Sequence, residues 1–220
     1  MQVRKSFDEE LQSLKKELLR MTEFAQEMLD LSVMALKNQD IELAEKVVKK
    51  DQFLNEQETD LNNHAVTLIA KQAPVASDLR QLIAAIKISS EVERIGDLAV
   101  NIAKSTIRIG NKETLIKPIV DIPKMIDIVK SMLTDAILSY RNNNTIQARN
   151  VAEADDKVDA YHKKLIDELM KLMTVHPQYT SQILQLSFIC RYVERIGDHI
   201  TNISEHVIFV DTGIQYDLNN

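Results

Sequence analysis

The chain has 220 residues, with four glycines, four prolines, 5% aromatic residues and 27% charged residues. This length fits one large domain or two small ones, and so few turn-forming residues are typical of long helices rather than of a sheet protein. A net charge of -6 without an arginine- or lysine-rich stripe argues against nucleic acid or an anionic membrane as the main partner. Metal cations or a basic protein surface remain as candidate partners.

No segment of the sequence has the character of a targeting signal or a membrane anchor. The N-terminal stretch MQVRKSFDEELQSLKK lacks an apolar core, and no stretch approaches the roughly 18 uncharged apolar residues of a membrane span. Cys190 is the only cysteine, which excludes a disulfide framework and a cysteine-rich zinc site and favours a buried thiol. The sequence therefore predicts a cytoplasmic protein in a reducing compartment.

Three helices are predicted in the first half of the chain. Apolar residues recur at steps of four and three over 7–35, which predicts an amphipathic helix of about 30 residues. Asp40 is the predicted N-cap of a second helix that runs to Gln72, where an Ala-Pro pair stops it. Ser77 is the predicted cap of a third helix, which ends before Gly110.

The same pattern restarts in the second half. A fourth helix is predicted over about 123–140, followed by an Asn-Asn-Asn-Thr turn and cap. A fifth helix is predicted to end at Met173, and a sixth runs from a Val-His-Pro break to about Val210. The linker between the halves is assigned to 111–122 because it combines charge with Pro118.

A hexapeptide, VERIGD, occurs once in each half, at 92–97 and at 193–198. The two surrounding twelve-residue segments are identical at eight of twelve positions. The halves are therefore predicted to be copies of one hairpin of three helices. The predicted fold is all-α, with tandem pseudo-symmetric three-helix bundles at 1–110 and 123–213 and a tail at 214–220.

Helical spacing aligns the polar residues of each hexapeptide in a stripe. The predicted stripes are Glu93, Asp97, Asn101 and Glu194, Asp198, Asn202, on roughly the opposite side of the helix from the apolar seam. Acids four residues apart repel by a few tenths of a kcal/mol, and a mid-helix glycine costs about 1 kcal/mol relative to alanine. A bound cation would reverse the repulsion. The missing Cβ beside each aspartate would let a metal cluster, a water shell or another backbone approach.

The preceding helix of each half offers a second pair of polar side chains. Asp51 and Asn55, like Asp155 and Asp159, are four residues apart, and an antiparallel hairpin would bring them beside the next helix. Such oxygen-rich pockets suit iron, manganese, magnesium or calcium, and zinc or nickel when a histidine joins. A solvated acidic face without metal is the alternative interpretation of the same spacing.

The histidines and arginines divide by their distance in sequence from these acids. His162, His199 and His206 are further candidate ligands in the second half, whereas His64 and His176 have no acid motif nearby. Arg94 and Arg195 are predicted to pair with acids and to orient the stripe, since Arg94 lies three residues from both Asp97 and Glu91.

These motifs resemble the PhoU family, accessory regulators of phosphate-specific transport. The resemblance lies in QAPVASDLR at 72–80, in both copies of ERIGD and in the asparagine-isoleucine pairs that follow them, and it spans nearly the full length. It implies multinuclear metal clusters, with iron favoured, on surface pairs of Glu/Asp-x-x-x-Asp motifs. By position these pairs are Asp51 with Asn55 facing Glu93 with Asp97, and Asp155 with Asp159 facing Glu194 with Asp198.

The resemblance also implies a biological role. Members act in the cytoplasm as negative regulators that contact the ATPase subunit of the phosphate ABC transporter and the phosphate-sensing histidine kinase. They are not catalysts, and a homodimer is expected.

The chain departs from the family pattern at Asn55, where an acid is usual, so the first site is expected to be weaker than the second. The second half also lacks an Asp-Leu-Arg equivalent. Asp78 and Arg80 are therefore interpreted as a cap and an ion pair rather than as a partner contact.

Two other functions are alternatives to a metal-binding regulator. Asp159 and His162 are spaced like part of a di-iron carboxylate motif, but such bundles carry the motif on two helices with ligands pointing inward. A metal-free helical scaffold that binds a basic partner is the third class. No phosphate-cradling glycine loop occurs, so ATP hydrolysis by the chain is not expected.

Overall fold

The protein is described here by a computed structural model that covers residues 2–116 and 120–218, with side chains from Phe7 onward. Six long helices and no strand occur within these ranges. They are α1 Gln2–Asn38, α2 Ile41–Gln72, α3 Ser77–Ile109, α4 Asp121–Asn142, α5 Thr145–Val175 and α6 Thr180–Thr212, with a 3₁₀ turn at Pro177–Tyr179. The predicted all-α class with six long helices is confirmed.

Two of the predicted helix caps are present and one is not. Asp40 accepts a hydrogen bond from the backbone N–H of Leu43 at 2.9 Å, and Asn144 caps α5 in the same way. Ser77 does not cap α3, because it is already the first helical residue and the preceding Ala76 offers no side-chain acceptor. The turn before α3 is closed by the backbone instead, and Ala76 adopts a left-handed φ of 49°.

The fourth helix begins earlier than its proline indicates. α4 starts at Asp121, two residues before Pro123, because a proline in the first turn removes only an N–H that has no intrahelical acceptor. The linker residue Pro118 lies outside the described residues.

Two three-helix bundles pack side by side, with α3 and α6 in the centre. α1, α2 and α3 form the first bundle, α4, α5 and α6 form the second, and α1 also contacts α4. The central pair is antiparallel, since Arg80 near the start of α3 meets Val210 near the end of α6, while Glu91 meets His199. Each central helix therefore packs against helices of both bundles and is buried around most of its circumference.

Candidate functional site

The first group of acids lies where α2 crosses α3. Desolvation and the charges of Asp97, Glu58 and Asp51 raise the pKa of Glu93 to about 7. Desolvation also raises the pKa of Asp51, with further contributions from the charge of Asp97 and a hydrogen bond to it. These four residues, Asp51, Glu58, Glu93 and Asp97, are called the first carboxylate cluster.

Glu58 is a member of this cluster that the sequence motif did not identify. It is half-buried, whereas Asn55, at the motif position, is exposed. Glu58 follows Asp51 by seven residues, which is two helical turns and so the same face of α2. A search for acids at that spacing, rather than only at four residues, would have found it. Glu58 supplies a carboxylate to the half of the protein in which Asn55 lacks one.

The second group lies at the matching crossing of α5 and α6. Desolvation, together with the charges of Asp159, Asp198, Glu194 and Asp156, raises the pKa of Asp155 to about 7. Desolvation is the largest cause of the raised pKa of Glu194, and the charge of Asp198 is the next largest. The four predicted residues, Asp155, Asp159, Glu194 and Asp198, thus lie close together and form the second carboxylate cluster.

The two hexapeptide glycines admit side chains of the preceding helix. A Cβ on Gly197 would lie 2.2 Å from Oδ1 of Asp155, and a Cβ on Gly96 would lie 2.0 Å from Cδ2 of Leu54. The expectation that this space accommodates a metal cluster, water or another backbone is wrong for the space directly beside each glycine. In the second half the glycine lets an acid enter the helix interface, and in the first half it lets a leucine enter the core.

We expect Gly197→Ala to expel the Asp155 carboxylate towards solvent and to lower its pKa from about 7 towards the ordinary 3.8. The short acidic side chain can rotate away, and the higher helix propensity of alanine offsets part of the cost of this rearrangement. The free energy of unfolding should therefore change by less than about 1 kcal/mol. Gly96→Ala is the matched control. It overpacks buried Leu54 at a cost of about 1–3 kcal/mol and leaves Asp155 unchanged. Carboxyl NMR titration measures the first effect, and an unaltered Asp155 pKa would contradict it.

The acidic stripes lie at the edge of a helix–helix contact, where Asp97 is exposed and the other three acids are partly buried. Only 12% of the Glu194 side chain is exposed, and Glu93 is half-buried. The predicted placement away from the core agrees with Asp97 but not with the two glutamates, because it assumed one buried face per helix. α3 and α6 each pack against helices of both bundles, which leaves a narrow strip next to α2 or α5.

Several carboxylate oxygens in the clusters are buried without a hydrogen-bond partner. They are Oδ1 of Asp51 in the first cluster and Oδ1 of Asp155 and Oε2 of Glu194 in the second. A buried, unsatisfied anionic oxygen is costly, and a cation is one means of satisfying it. Within the described residues, no three acidic, histidine or cysteine side chains already converge on one metal position. The carboxylate oxygens of the clusters therefore suit a hard cation chemically. Side chains would have to rotate to complete its coordination.

The arginines of the hexapeptide pair only in part as predicted. Arg94 donates to Oε1 of Glu91 at 3.1 Å, which is one of its two predicted partners, and not to Asp97. In the second half, Arg191 and not Arg195 forms the ion pair with Glu194. Arg195 is exposed and acts on Glu194 only through its charge, which lowers the pKa of that carboxyl.

Two further candidate ligands are turned away from the second cluster. His199 Nδ1 lies 2.7 Å from Oε2 of Glu91, and the Asn202 amide donates to the same oxygen at 3.3 Å. Both contacts cross from α6 to α3 and so join the two bundles. The stripe position predicted for Asn202 is wrong, since α6 uses that face against α3.

The remaining candidates differ in their position. His162 lies beside the second cluster: burial and Arg191 lower its pKa, whereas Asp159 and Asp198 raise it. Burial and Lys87 lower the pKa of His206 to about 4, which places this histidine at the α3–α6 contact. Asn101 is half-buried on α3, one turn beyond the first cluster.

Arg80 stabilises the contact between the bundles. Its Nε donates to the carbonyl of Val210 in the last turn of α6 at 3.0 Å, where carbonyls lack intrahelical partners. This contact replaces the predicted ion pair. The backbone N–H of Asp78 completes the turn before α3 by donating to Val75.

The fold and the site together define a class of protein. It is a duplicated helical bundle with a carboxylate cluster in each half, at the partly buried edge of a helix–helix contact. None of the helices in the described ranges has the length and apolar character needed to cross a membrane. The sequence profile of the PhoU domain matches residues 18–106 and 122–207, so one copy falls in each bundle. The chain belongs to the PhoU family.

Relatives and solved structures agree with this assignment. The chain is 38% identical over 220 residues to a phosphate-specific transport system accessory protein PhoU homolog from Clostridium acetobutylicum, covering 99% of each chain. A homolog of the same description from Aquifex aeolicus is 37% identical over 204 residues, covering 93% of this chain and 92% of the relative.

Two crystal structures of PhoU proteins share the fold. The protein from Streptococcus pneumoniae superposes with a TM-score of 0.89 at 28% identity, covering 96% of this chain and 99% of the other. PhoU from Pseudomonas aeruginosa superposes with a TM-score of 0.88 at 31% identity, covering 94% of this chain and all of the other.

Proposed function

We propose that the chain is an accessory regulator of a phosphate-specific transport system. Relatives that match nearly its whole length carry that description, and the duplicated bundle is shared with PhoU crystal structures. In this proposal the chain restrains phosphate uptake and phosphate-starvation signalling by contacting the ATPase subunit of the phosphate ABC transporter and the phosphate-sensing histidine kinase. It acts by binding, not by catalysis.

The proposal includes cation binding at both carboxylate clusters. Buried carboxylate oxygens without hydrogen-bond partners, present in both halves, are the observation that carries it. Asp51, Glu58, Glu93 and Asp97 would hold cations in the first cluster, and Asp155, Asp159, Glu194 and Asp198 in the second, with His162 nearby. All are oxygen donors apart from the histidine, which favours hard ions such as iron, manganese, magnesium or calcium. A bound ion would neutralise the repelling acids.

We expect chelator-stripped protein to bind Mn²⁺ at two independent groups of sites. The double variant Asp155→Asn, Glu194→Gln should lose the second group, and Glu58→Gln should weaken the first by at least about tenfold, since ligand charge sets affinity for hard cations. Isothermal titration and elemental analysis measure both effects. Glu153→Gln, an exposed acid on the same helix outside the second cluster, is the control. Wild-type protein that binds no Mn²⁺ would remove cation binding from the proposal.

Partner binding separates a metal-dependent regulator from a metal-free scaffold. Tagged protein is incubated with the transporter ATPase subunit and, separately, with the histidine kinase, in the presence and absence of a chelator. Loss of capture with the chelator supports a role for the cations, and undiminished capture supports the scaffold. Absence of capture in both conditions would contradict the regulatory partners themselves.

A further inference from the structure

His64 on α2 lies between two glutamates of α1. Its Nδ1 is 3.0 Å from Oε2 of Glu17, and its Nε2 is 3.2 Å from Oε2 of Glu10. The sequence shows no acid motif near His64, because both partners come from another helix. The histidine side chain is 24% exposed, so the contact is screened only in part from water.

Both ring nitrogens of His64 face carboxylates, and this geometry favours the doubly protonated, charged ring. A neutral imidazole donates from one nitrogen and presents a lone pair at the other. Only the imidazolium can donate to both glutamates. We propose that His64 is a protonation-controlled clamp, which ties α1 to α2 when the ring is charged and releases α1 when the ring is neutral.

The charged groups around His64 support this reading. On α1, Ser13 donates to Oε1 of Glu17 at 3.3 Å and so helps to hold that acceptor. On α2, the acid one turn away is Asp60, which is exposed. On α3, the adjoining contact is neutral, with the Ser89 hydroxyl donating to Asn62 at 3.0 Å.

The nearby charged residues of α3 are directed to α6 rather than to the clamp. Lys87 lies over the Phe209 ring, and Glu91 binds His199. The groups that face His64 are therefore carboxylates. Burial lowers the pKa of His64, but the hydrogen bonds and charges of Glu17 and Glu10 outweigh it and raise the pKa above 6.5.

The second bundle has lysine ion pairs near the start of its first helix, in place of a histidine contact. Asp121 at the start of α4 pairs with Lys124 at 3.0 Å and with Lys164 of α5 at 3.6 Å. Lysine stays charged throughout the neutral range, whereas histidine does not. A pH change near neutrality therefore alters the charge of the His64 contact but not the charge of Lys124 or Lys164.

The sign of the pH effect follows from the raised pKa. The clamp contributes fully below the ordinary histidine pKa of 6.5 and is lost as pH rises through the higher value in the folded protein. Release frees the Glu17 carboxylate, which also lines a cavity of about 330 Å³ between α1 and α2 together with Arg20, Gln57 and Asp60. Opening thus alters both the docking of α1 and the shape of this cavity.

NMR titration of the histidine rings and amide hydrogen exchange of α1 test the clamp. We expect His64 to titrate above 6.5 and Glu17→Gln to lower its pKa. After correction for intrinsic rates, loss of the clamp at high pH should raise the exchange of residues 8–17. The expected increase is about tenfold for each unit by which the His64 pKa exceeds its ordinary value. His64→Lys should keep these amides protected at high pH.

His176→Gln is the matched control, since this histidine lies at the α5 C-terminus, far along the chain from α1. It should leave the pH dependence of α1 unchanged. If His64→Lys does not fold, Glu10→Gln and Glu17→Gln carry the test alone. A His64 pKa at or below 6.5, or equal exchange of residues 8–17 at pH 6 and pH 8, would overturn the proposal.

Discussion

Asp155→Asn is expected to stabilise the cation-free protein at pH 7.5 by about 1–2 kcal/mol. The Asp155 pKa rises from 3.8 to about 7, which by itself corresponds to about 4 kcal/mol at 1.36 kcal/mol per unit. The side chain is partly exposed, so solvent screening reduces this figure by at least half. Asparagine keeps the shape and removes the repulsion with Asp159, Asp198 and Glu194.

The gain should depend on pH in a defined direction. Between the unfolded pKa of 3.8 and the folded value of about 7, Asp155 is protonated when folded and ionised when unfolded. The unfolded chain then binds fewer protons, so stability falls as pH rises through this window and levels off above it. The advantage of Asp155→Asn is therefore absent near pH 4 and complete above pH 7.

Urea denaturation in the presence of a chelator at pH 4, 5.5 and 7.5 measures this effect. Glu153→Gln, at an exposed position of α5, should stay within about 0.5 kcal/mol of wild type. Added Mn²⁺ should reduce or reverse the stability advantage of Asp155→Asn over wild type, because this variant lacks a proposed ligand. A loss of stability at pH 7.5 without cations would show that Asp155 is not repelled by its neighbours.

Glu91→Ala is expected to destabilise the fold by about 3 kcal/mol, because it leaves His199 without its carboxylate partner in the buried contact between the bundles. Glu91 is 7% exposed and accepts hydrogen bonds from His199, Asn202 and Arg94. Those contacts overcome the desolvation that would raise its pKa, and the pKa of Glu91 is lowered. The lowered value means that its contribution is present above the unfolded pKa and is lost as pH falls through the folded one.

Thermal unfolding should show a fall in Tm of about 6–12 °C for Glu91→Ala, at about 2–4 °C per kcal/mol for a chain of this size. Glu91→Gln keeps an acceptor and should lose less. Glu153→Ala, on the exposed face of α5, is a matched acid-to-alanine control with little effect. Equal stability of Glu91→Ala and wild type would show that this contact does not hold the bundles together.

Local sequence patterns predicted the helices but located their ends less well. The 3.6-residue periodicity predicted six helices, and the side chains of Asp40 and Asn144 marked two starts, since a cap acts within three residues. Ser77 failed as a cap because positive φ at Ala76 closes the turn through the backbone. Nothing in the local composition indicates that choice.

The sequence by itself determined six helices, their duplication and the approximate positions of the paired acids, because periodicity and repetition are properties of the chain. Tertiary structure decided which side chains meet. Only packing shows that Gly197 admits Asp155, that Glu58 joins the first cluster, and that Glu91 binds His199. These contacts depend on how helices distant in sequence cross and on which faces the central α3 and α6 bury, and one helix's periodicity does not encode the position of its neighbours.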